Sequence, residues 1–259
     1  MADQKVLIQI EAPAAVLTLN DPEVRNALSA QLIAELGDAL DRMEGEPQVG
    51  AVIVTGQGNA FSAGADLSAL QKMTEFSVEQ SRQDSLRLRD LYQRLYLYPK
   101  PTIAAVNGHA IAGGCGLMSV CDLSIAATGA KLSYSEVKVG FIPAVVMVFL
   151  IRQVGEKIAR ELLLTGRIID AEQALAYGLI NEVVPPESLL DRARQLAREI
   201  AANSPQAVRL TKELLSRQPG VELFEALSNA LNMNALVRTT DDFREGVSAF
   251  LEKRKPEWK

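Results

Sequence analysis

Two glycine-bearing turns and one later carboxylate are the residues of this chain whose types and spacing could do chemistry. Residues 61–66 have the sequence FSAGAD, residues 108–116 have the sequence GHAIAGGCG, and each segment follows a strand-like run. Turns of this kind can aim backbone N–H groups outward, and bare glycines let a substrate carbonyl approach closely. With Glu136 in the later segment SYSEV, the pattern predicts an oxyanion hole and its proton carrier.

An oxyanion hole beside a single acid or base is suited to enolate chemistry. Two N–H donors on a carbonyl oxygen stabilise the enolate that forms when a proton is added or removed beside that carbonyl, and one good donor contributes roughly 3–4 kcal/mol. Tyr134 and the pair Ile142-Pro143 flank Glu136 in the sequence. We therefore expect these residues to shield the carboxylate from water, which favours the protonation changes of an acid and base.

Nucleotide-binding interpretations of the glycine turns fail on the sequence. A phosphate-binding loop requires Lys and then Ser or Thr after its second glycine, but Gly113 is followed by Gly114 and Cys115. The segment that begins at Gly56 has Phe61 where the dinucleotide fingerprint requires its third glycine.

Composition and charge exclude several classes of partner. The chain has 259 residues, 48% of them apolar, which is enough for one large domain with a smaller appendage. The net charge of −5 argues against a nucleic-acid-binding surface. One histidine and two unclustered cysteines, Cys115 and Cys121, argue against a metal site. We see neither a signal peptide nor an apolar stretch of membrane-spanning length, so we expect a cytoplasmic protein without membrane contact.

The order of elements predicts a mixed α/β body followed by a helical appendage. The first half of the chain alternates strand-like and helix-like segments in the order β-β-α. After residue 186 the pattern is helical almost throughout, with helices predicted over residues 189–202, 205–217, 221–237 and 241–253. We therefore predict a body over residues 1–195, which carries the site, and a helical region over residues 196–259.

The ordered motifs resemble those of the crotonase family, also called the enoyl-CoA hydratase/isomerase family. The resemblance covers nearly the whole chain, and so many motifs in one order are highly specific. It implies an α/β fold built as a spiral of ββα units, with a C-terminal helical region that builds trimers, commonly paired into hexamers. The motifs are RNAL at 25–28, FSAGADL at 61–67, PTIAAVNG at 101–108, AGGC at 112–115, SEVKVGFIP at 135–143, LTG at 164–166 and AFLEKR at 249–254.

The same resemblance assigns site residues motif by motif. It implies that the backbone N–H groups of Ala63 and Gly113 form the oxyanion hole and that Glu136 carries the proton. It also implies an acyl-CoA thioester as the substrate, with coenzyme A as its carrier and no further cofactor. Contacts to coenzyme A are expected from six residues, the last two of them from a neighbouring subunit: Arg25, Ala65, Asp66, Leu67, Phe250 and Lys253.

One position departs from the family pattern and leaves the reaction open. Two-carboxylate hydratases place a glutamate three residues after the oxyanion glycine, whereas this chain has Gly116 there. One proton carrier suffices for moving a double bond, and some 3,2-enoyl-CoA isomerases share the AGGC turn.

The stretch after the turn favours hydration. Hydratases similar to the methylglutaconyl-CoA enzymes share the Gly116-Leu117 pair and a long stretch after Glu136. A 2-enoyl-CoA hydratase is therefore the first prediction, and the isomerase and a catalytically silent coenzyme A-binding scaffold are the alternatives. The sequence does not define the acyl group.

Overall fold

The strands of the chain are shared between two sheets. The computed structural model describes residues 4–65, 71 and 73–258. Within this part, the larger sheet contains, in spatial order, β1 (Val6–Glu11), β2 (Ala14–Leu19), β3 (Ala51–Gly56), β5 (Thr102–Val106), β7 (Leu123–Ala127) and β10 (Glu182–Val184). The smaller sheet contains, in spatial order, β4 (Ala60–Ser62), β6 (His109–Ile111), β8 (Lys131–Ser133) and β9 (Ile169–Asp170).

The pairing of the strands follows the predicted β-β-α repeat. β1 and β2 form an antiparallel hairpin, and each later neighbour in the larger sheet pairs in parallel. In the smaller sheet β4, β6 and β8 are parallel, and β9 runs antiparallel to β8. The chain thus enters the larger sheet, crosses to the smaller one and then forms a helix, three times in succession. The predicted spiral of ββα units is confirmed.

Nine helices longer than one turn pack around these sheets in the described part of the chain. They are α1 (Ala30–Glu44), α2 (Val78–Tyr96), α3 (Gly113–Ser119), α4 (Ala144–Thr165), α5 (Ala171–Ala176), α6 (Leu189–Ala201), α7 (Pro205–Arg217), α8 (Leu223–Val237) and α9 (Asp241–Glu252). Local signals set their ends: Ser29 caps α1 by accepting from the Leu32 N–H, and Ser77 caps α2 in a capping box with Gln80.

The larger sheet separates two hydrophobic cores. Along β3, Val52 and Val54 face the core that α1 and α2 close, whereas Ala51 and Ile53 face the core under α6. This alternation is the period of two that a strand buried on both faces requires. α3 and Tyr92 of α2 belong to the first core, so the elements that carry the glycine turns rest on a packed support.

The predicted boundary between the body and the helical region falls within a helix that packs on the larger sheet. The predicted division between residues 195 and 196 falls inside α6, whose Ala193 and Ala197 are both buried against the larger sheet. The two-part organisation of the chain therefore stays a prediction.

None of the helices in the described residues is both long and apolar enough to cross a membrane.

Candidate active site

The first glycine turn is held in place by the segment around Asn26. Arg25 and Asn26 both adopt left-handed backbone conformations with φ of 55°. The buried Asn26 side chain donates through Nδ2 to the carbonyls of Gln57 at 3.0 Å and Ala60 at 2.8 Å. The Ser62 hydroxyl donates to the Asn26 carbonyl at 2.8 Å. The RNAL motif therefore fastens β4 and the turn that follows it.

Hydrogen bonding within this turn decides which N–H group is available to a substrate. The Ala63 N–H donates to the Arg25 carbonyl at 2.9 Å, and the Gly64 N–H donates to the Ser62 hydroxyl at 3.2 Å. The N–H of Ala65, an exposed residue, has no acceptor among the described residues. The prediction of Ala63 as an oxyanion donor is thus corrected: its N–H is already used inside the protein, and the free donor is two residues later.

The second turn leaves Gly113 as a free donor. Ala112, the N-cap of α3, has a positive φ of 49°, and its N–H donates to the Ser133 carbonyl at 2.7 Å. The first intrahelical bond of α3 runs from the Gly116 N–H to the Ala112 carbonyl at 3.1 Å. Gly113 opens the helix, and its N–H has no acceptor in the described part of the chain.

The two turns touch at Gly64 and Gly113. A Cβ placed on Gly64 would lie 2.9 Å from the Gly113 nitrogen and 2.6 Å from the Ile111 carbonyl oxygen, and Gly64 has φ of 79°. A side chain is therefore excluded there on two grounds, close approach and backbone conformation. The free N–H groups of Ala65 and Gly113 consequently belong to adjoining segments, as an oxyanion hole requires.

Glu136 is the buried carboxylate of the site. It begins a short 3-10 turn, Glu136–Val139, after β8, and only 9% of the residue is exposed. Its Oε2 atom is buried and has no hydrogen-bond partner among the described residues. Burial raises the pKa of the Glu136 carboxyl, and a hydrogen bond from its own backbone opposes part of that rise. A carboxyl with a raised pKa and an unused oxygen is equipped to accept and return a proton.

The shielding of Glu136 is only partly as predicted. Tyr134 is fully buried, and Pro143 is buried as well. Ile142, in contrast, is 66% exposed and leaves the carboxylate to be covered by other residues.

Tyr92 of α2 is a site residue that the sequence analysis missed. It is fully buried, and its hydroxyl donates to the Gly113 carbonyl at 2.5 Å. A Cβ placed on Gly116 would lie 2.7 Å from the Tyr92 Oη and 2.8 Å from the Val146 Cγ2. Burial, and after it the charge of Glu136, raises the pKa of the Tyr92 phenol. The place expected for a second carboxylate is thus beside a tyrosine ring, which no local pattern in the sequence indicates.

The residues predicted to contact coenzyme A fall into three groups. Arg25 and Ala65 are exposed at the first turn, whereas Asp66 and Leu67 lie outside the described residues. Phe250 is 83% exposed on α9, and Lys253 caps that helix in a left-handed conformation. α9 packs against α7, so the last two residues belong to the C-terminal helices and not to the glycine turns.

Other candidate chemistries find no support in the described residues. They contain no group of three or more His, Cys, Asp or Glu side chains that could hold a metal ion. His109 is exposed on β6. Both cysteines are buried, and burial raises the pKa of the Cys121 thiol to about 12 and that of Cys115 further still. Neither thiol is therefore a nucleophile at neutral pH.

Comparison with known proteins places the chain in a family. Residues 9–259 match the family described as enoyl-CoA hydratase/isomerase. A relative from Thermus thermophilus, which bears a provisional enoyl-CoA hydratase name, is 51% identical and covers 96% of this chain and 99% of its own length. The short-chain-enoyl-CoA hydratase of Clostridium acetobutylicum is 36% identical over 97% of this chain and 96% of that protein.

Solved structures support the same family assignment. The crystal structure of an enoyl-CoA hydratase from Bacillus anthracis is 37% identical, covers 99% of both chains and superposes with a TM-score of 0.92. Sequence motifs, topology and these similarities are mutually consistent. The chain belongs to the enoyl-CoA hydratase/isomerase family, the crotonase family.

Proposed function

We propose that this protein is an enoyl-CoA hydratase, a lyase that adds water to the double bond of a 2-enoyl-CoA thioester. The observation that carries the proposal is Glu136, a buried carboxylate with a raised pKa and a free oxygen, in a site with two unused backbone N–H groups. The names of the relatives support hydration over the alternatives. A silent scaffold would have no use for a buried, unpartnered carboxylate, which destabilises the fold.

The geometry assigns a role to each group in the reaction. The thioester oxygen accepts hydrogen bonds from the N–H groups of Ala65 and Gly113, which polarises the conjugated double bond. Glu136 takes a proton from water while the water oxygen bonds to C3 and the π electrons move toward the thioester. The resulting enolate is held by the two N–H groups until Glu136 returns the proton to C2.

We infer that coenzyme A is the carrier of the acyl group and that no separate cofactor takes part. Arg25 and Ala65 stand exposed beside the first turn, where a ligand could reach them. Phe250 and Lys253 are also exposed, but they lie on the C-terminal helices. We propose that a second subunit supplies them to the same ligand, as the family resemblance implies.

We propose a homotrimer or a hexamer as the assembly. α8, which the structure describes in full, has no buried residue although much of it is apolar. Its exposed apolar side chains are Leu223, Phe224, Leu227, Leu231 and Leu236. An apolar face of this size on a single chain indicates a protein interface. Sedimentation of the purified protein tests the proposal, which a stable monomer at micromolar concentration would contradict.

The reaction itself is tested by supplying purified protein with crotonyl-CoA and, separately, with a 3-enoyl-CoA. We expect crotonyl-CoA to be converted to 3-hydroxybutyryl-CoA, detected as the mass of one added water. The Glu136→Gln variant is the matched control for background hydration. Conversion of the 3-enoyl thioester to the 2-enoyl thioester with no hydrated product from either substrate would replace the hydratase by the isomerase, the reaction for which one proton carrier suffices.

A further inference from the structure

Lys253 holds a backbone conformation that its residue type disfavours. Four residues other than glycine have a positive φ in the described part of the chain, and three of them, Arg25, Asn26 and Ala112, shape the two glycine turns of the candidate active site. The fourth is Lys253, with φ of 54°. Strained conformations of this kind persist where the surrounding structure imposes them, and they cluster at sites that bind or react. The strain at Lys253 therefore indicates a use for that side chain at that place.

The hydrogen bonds at the end of α9 show why this position favours glycine. The N–H of Lys253 donates to the Phe250 carbonyl at 3.3 Å, and the N–H of Arg254 donates to the Ala249 carbonyl at 3.0 Å. These two bonds form a Schellman motif, in which the residue at the left-handed position is usually glycine and sometimes asparagine. Since lysine is less stable than glycine in that conformation, the fold alone does not account for it.

The segment that follows α9 is fastened back onto the C-terminal helices. This segment, residues 254–258, is called the strap below. At its start, the Arg254 guanidinium donates to both carboxylate oxygens of Glu245, at 2.5 and 2.9 Å. At its far end, the Trp258 Nε1 donates to the carbonyl of Ala202 at 2.9 Å. The strap thus connects α9 to the residue that follows α6.

A glycine inside α9 makes room for the indole ring of Trp258. Glycine weakens a helix interior relative to alanine, yet Gly246 lies in the middle of α9. A Cβ placed there would lie 3.3 Å from the Trp258 Cη2, so a side chain would crowd the ring. α9 therefore has glycine where a helix favours a side chain, and its end has lysine where glycine is favoured. Both departures are explained if Trp258 anchors a strap that holds Lys253 in place.

The contacts of the strap leave the Lys253 ammonium available. Arg254 forms ion pairs with Glu245 at 2.5 Å and with Glu252 at 2.7 Å. Lys253 is exposed, and within the described residues it forms no ion pair of its own. An exposed, unpaired cation on a fixed backbone is suited to an anionic group of a ligand. Coenzyme A carries such groups as the phosphates of its nucleotide end.

Building on coenzyme A as the proposed carrier, we propose that Trp258 is a positioning residue for substrate binding, which anchors the strap and so fixes Lys253 where its ammonium meets a phosphate of the coenzyme. Trp258 itself does not contact the ligand and acts only through Lys253. A lysine that is held in one backbone conformation before the ligand arrives loses less freedom on binding. Removing the anchor should therefore weaken binding through the phosphates and leave binding of the acyl end unchanged.

The test measures the dissociation constants of acetoacetyl-CoA and of acetoacetyl-pantetheine, which lacks the nucleotide phosphates. Lys253→Gly removes the amine and suits the left-handed backbone, whereas Trp258→Ala removes the anchor. Lys255→Gln is the matched control, because Lys255 is another exposed lysine two residues away. A double variant combines Lys253→Gly with Trp258→Ala, so that the coupling of the two positions is measured. Trp258→Phe keeps a ring beside Gly246 and loses the bond to Ala202, and it takes the place of Trp258→Ala if that variant does not fold.

We expect Lys253→Gly to raise the dissociation constant of acetoacetyl-CoA about three- to tenfold, the effect of one exposed charge-assisted contact to a phosphate. Trp258→Ala should raise the same constant about threefold and add nothing in the Lys253→Gly background, because it acts through the lysine. The affinity of every variant for acetoacetyl-pantetheine should stay within about twofold of wild type. Lys255→Gln should match the wild type with both thioesters.

Several results would overturn the positioning role. An unchanged affinity for acetoacetyl-CoA in Lys253→Gly would remove the phosphate contact, and an unchanged affinity in Trp258→Ala would remove the anchor. Equal losses with both thioesters, or a Trp258→Ala effect that persists in full without the lysine, would make the strap a general structural element. A loss in Lys255→Gln as large as that in Lys253→Gly would assign the effect to overall charge.

The same measurements separate this proposal from the proposed reaction. They record binding alone, so failure of the hydratase is recognised by a wild type that binds acetoacetyl-CoA but does not hydrate crotonyl-CoA. Failure of the positioning role alone is recognised by a hydrating wild type whose affinity for acetoacetyl-CoA does not change in Trp258→Ala.

Discussion

Adding a single methyl group at Gly116 tests the packing that defines this site. In the Gly116→Ala variant the new Cβ would lie 2.7 Å from the Tyr92 Oη and 2.8 Å from the Val146 Cγ2, closer than real carbon contacts. Tyr92 and Val146 are both buried, so neither can swing into solvent to make room. Overpacking of this kind costs about 1–3 kcal/mol. Replacing glycine by alanine inside a helix stabilises the fold by up to about 1 kcal/mol, which offsets part of that cost.

Gly37 of α1 provides the matched control. It is also inside a helix, and a Cβ placed there meets its nearest neighbour, the Arg94 Nη1, at an ordinary 3.7 Å. Gly37→Ala should therefore gain up to about 1 kcal/mol from helix propensity alone. The two variants share the propensity gain, so the difference between them isolates the overpacking cost of about 1–3 kcal/mol.

The assay is urea unfolding of both variants at one protein concentration, because an oligomer's stability depends on concentration. Crotonyl-CoA hydration is measured on the same preparations. We expect Gly116→Ala to be less stable than Gly37→Ala and to lose kcat, since Tyr92 must shift away from Gly113. Gly37→Ala should keep wild-type activity. Equal stability of the two variants with full activity in both would refute the reasoning, because the space beside Gly116 would then be open.

Three more variants test the proton carrier, the ion pair of the buried Lys212 and the coenzyme A contact. Glu136→Gln should lower the rate of hydration by about 10²–10⁴-fold and leave the affinity for acyl-CoA nearly unchanged. Because burial raises the pKa of this carboxyl, the wild type loses stability as pH rises from the unfolded pKa of about 4.3 through the higher folded pKa. Unfolding curves across pH should therefore show Glu136→Gln becoming more stable relative to the wild type over that pH range. Lys212→Met removes the 2.6 Å contact to Asp122 and should lower the free energy of unfolding in urea by about 1–3 kcal/mol. An unchanged free energy of unfolding would contradict a structural role for this contact. Lys253→Glu should weaken binding of an acyl-CoA more than binding of the same acyl group on pantetheine, and equal losses would disprove contact with the nucleotide phosphates.

Much of the architecture follows from local patterns in the sequence. The β-β-α repeat was predicted from alternating runs, and Ala51–Gly56 and Thr102–Val106 are strands as expected. The helical region after residue 186 begins with α6 at Leu189 and continues through three more helices. These elements were predictable because hydrophobic period, caps and turns act over a few residues.

The details of the site were less predictable because they depend on contacts between distant segments. Tyr92 looks like any apolar position of an amphipathic helix, and only the packing of α2 against α3 brings its hydroxyl to Gly113. Likewise, Ile142 precedes a helix N-terminus and was expected to cover Glu136, but it faces solvent. Such placements are set by tertiary structure, which sequence spacing does not encode directly.

The choice of oxyanion donors shows why a motif alone does not identify a functional N–H group. Any of the three amides from Ala63 to Ala65 could serve if the turn is considered by itself. The Arg25 carbonyl takes the first amide and the Ser62 hydroxyl takes the second. Only the third is left for a substrate in the described structure.

The same accounting applies to the second turn. There the Ser133 carbonyl, from a strand of the smaller sheet, takes the N–H of Ala112 and leaves that of Gly113. A catalytic donor is in this sense an amide that the fold leaves unpaired. Two of the acceptors that remove its competitors, the Arg25 and Ser133 carbonyls, come from distant segments, whereas the Ser62 hydroxyl comes from the turn itself. It follows that Asn26 acts on the oxyanion hole although it donates nothing to it: its carbonyl accepts from the Ser62 hydroxyl, and its side chain donates to the carbonyls of Gln57 and Ala60.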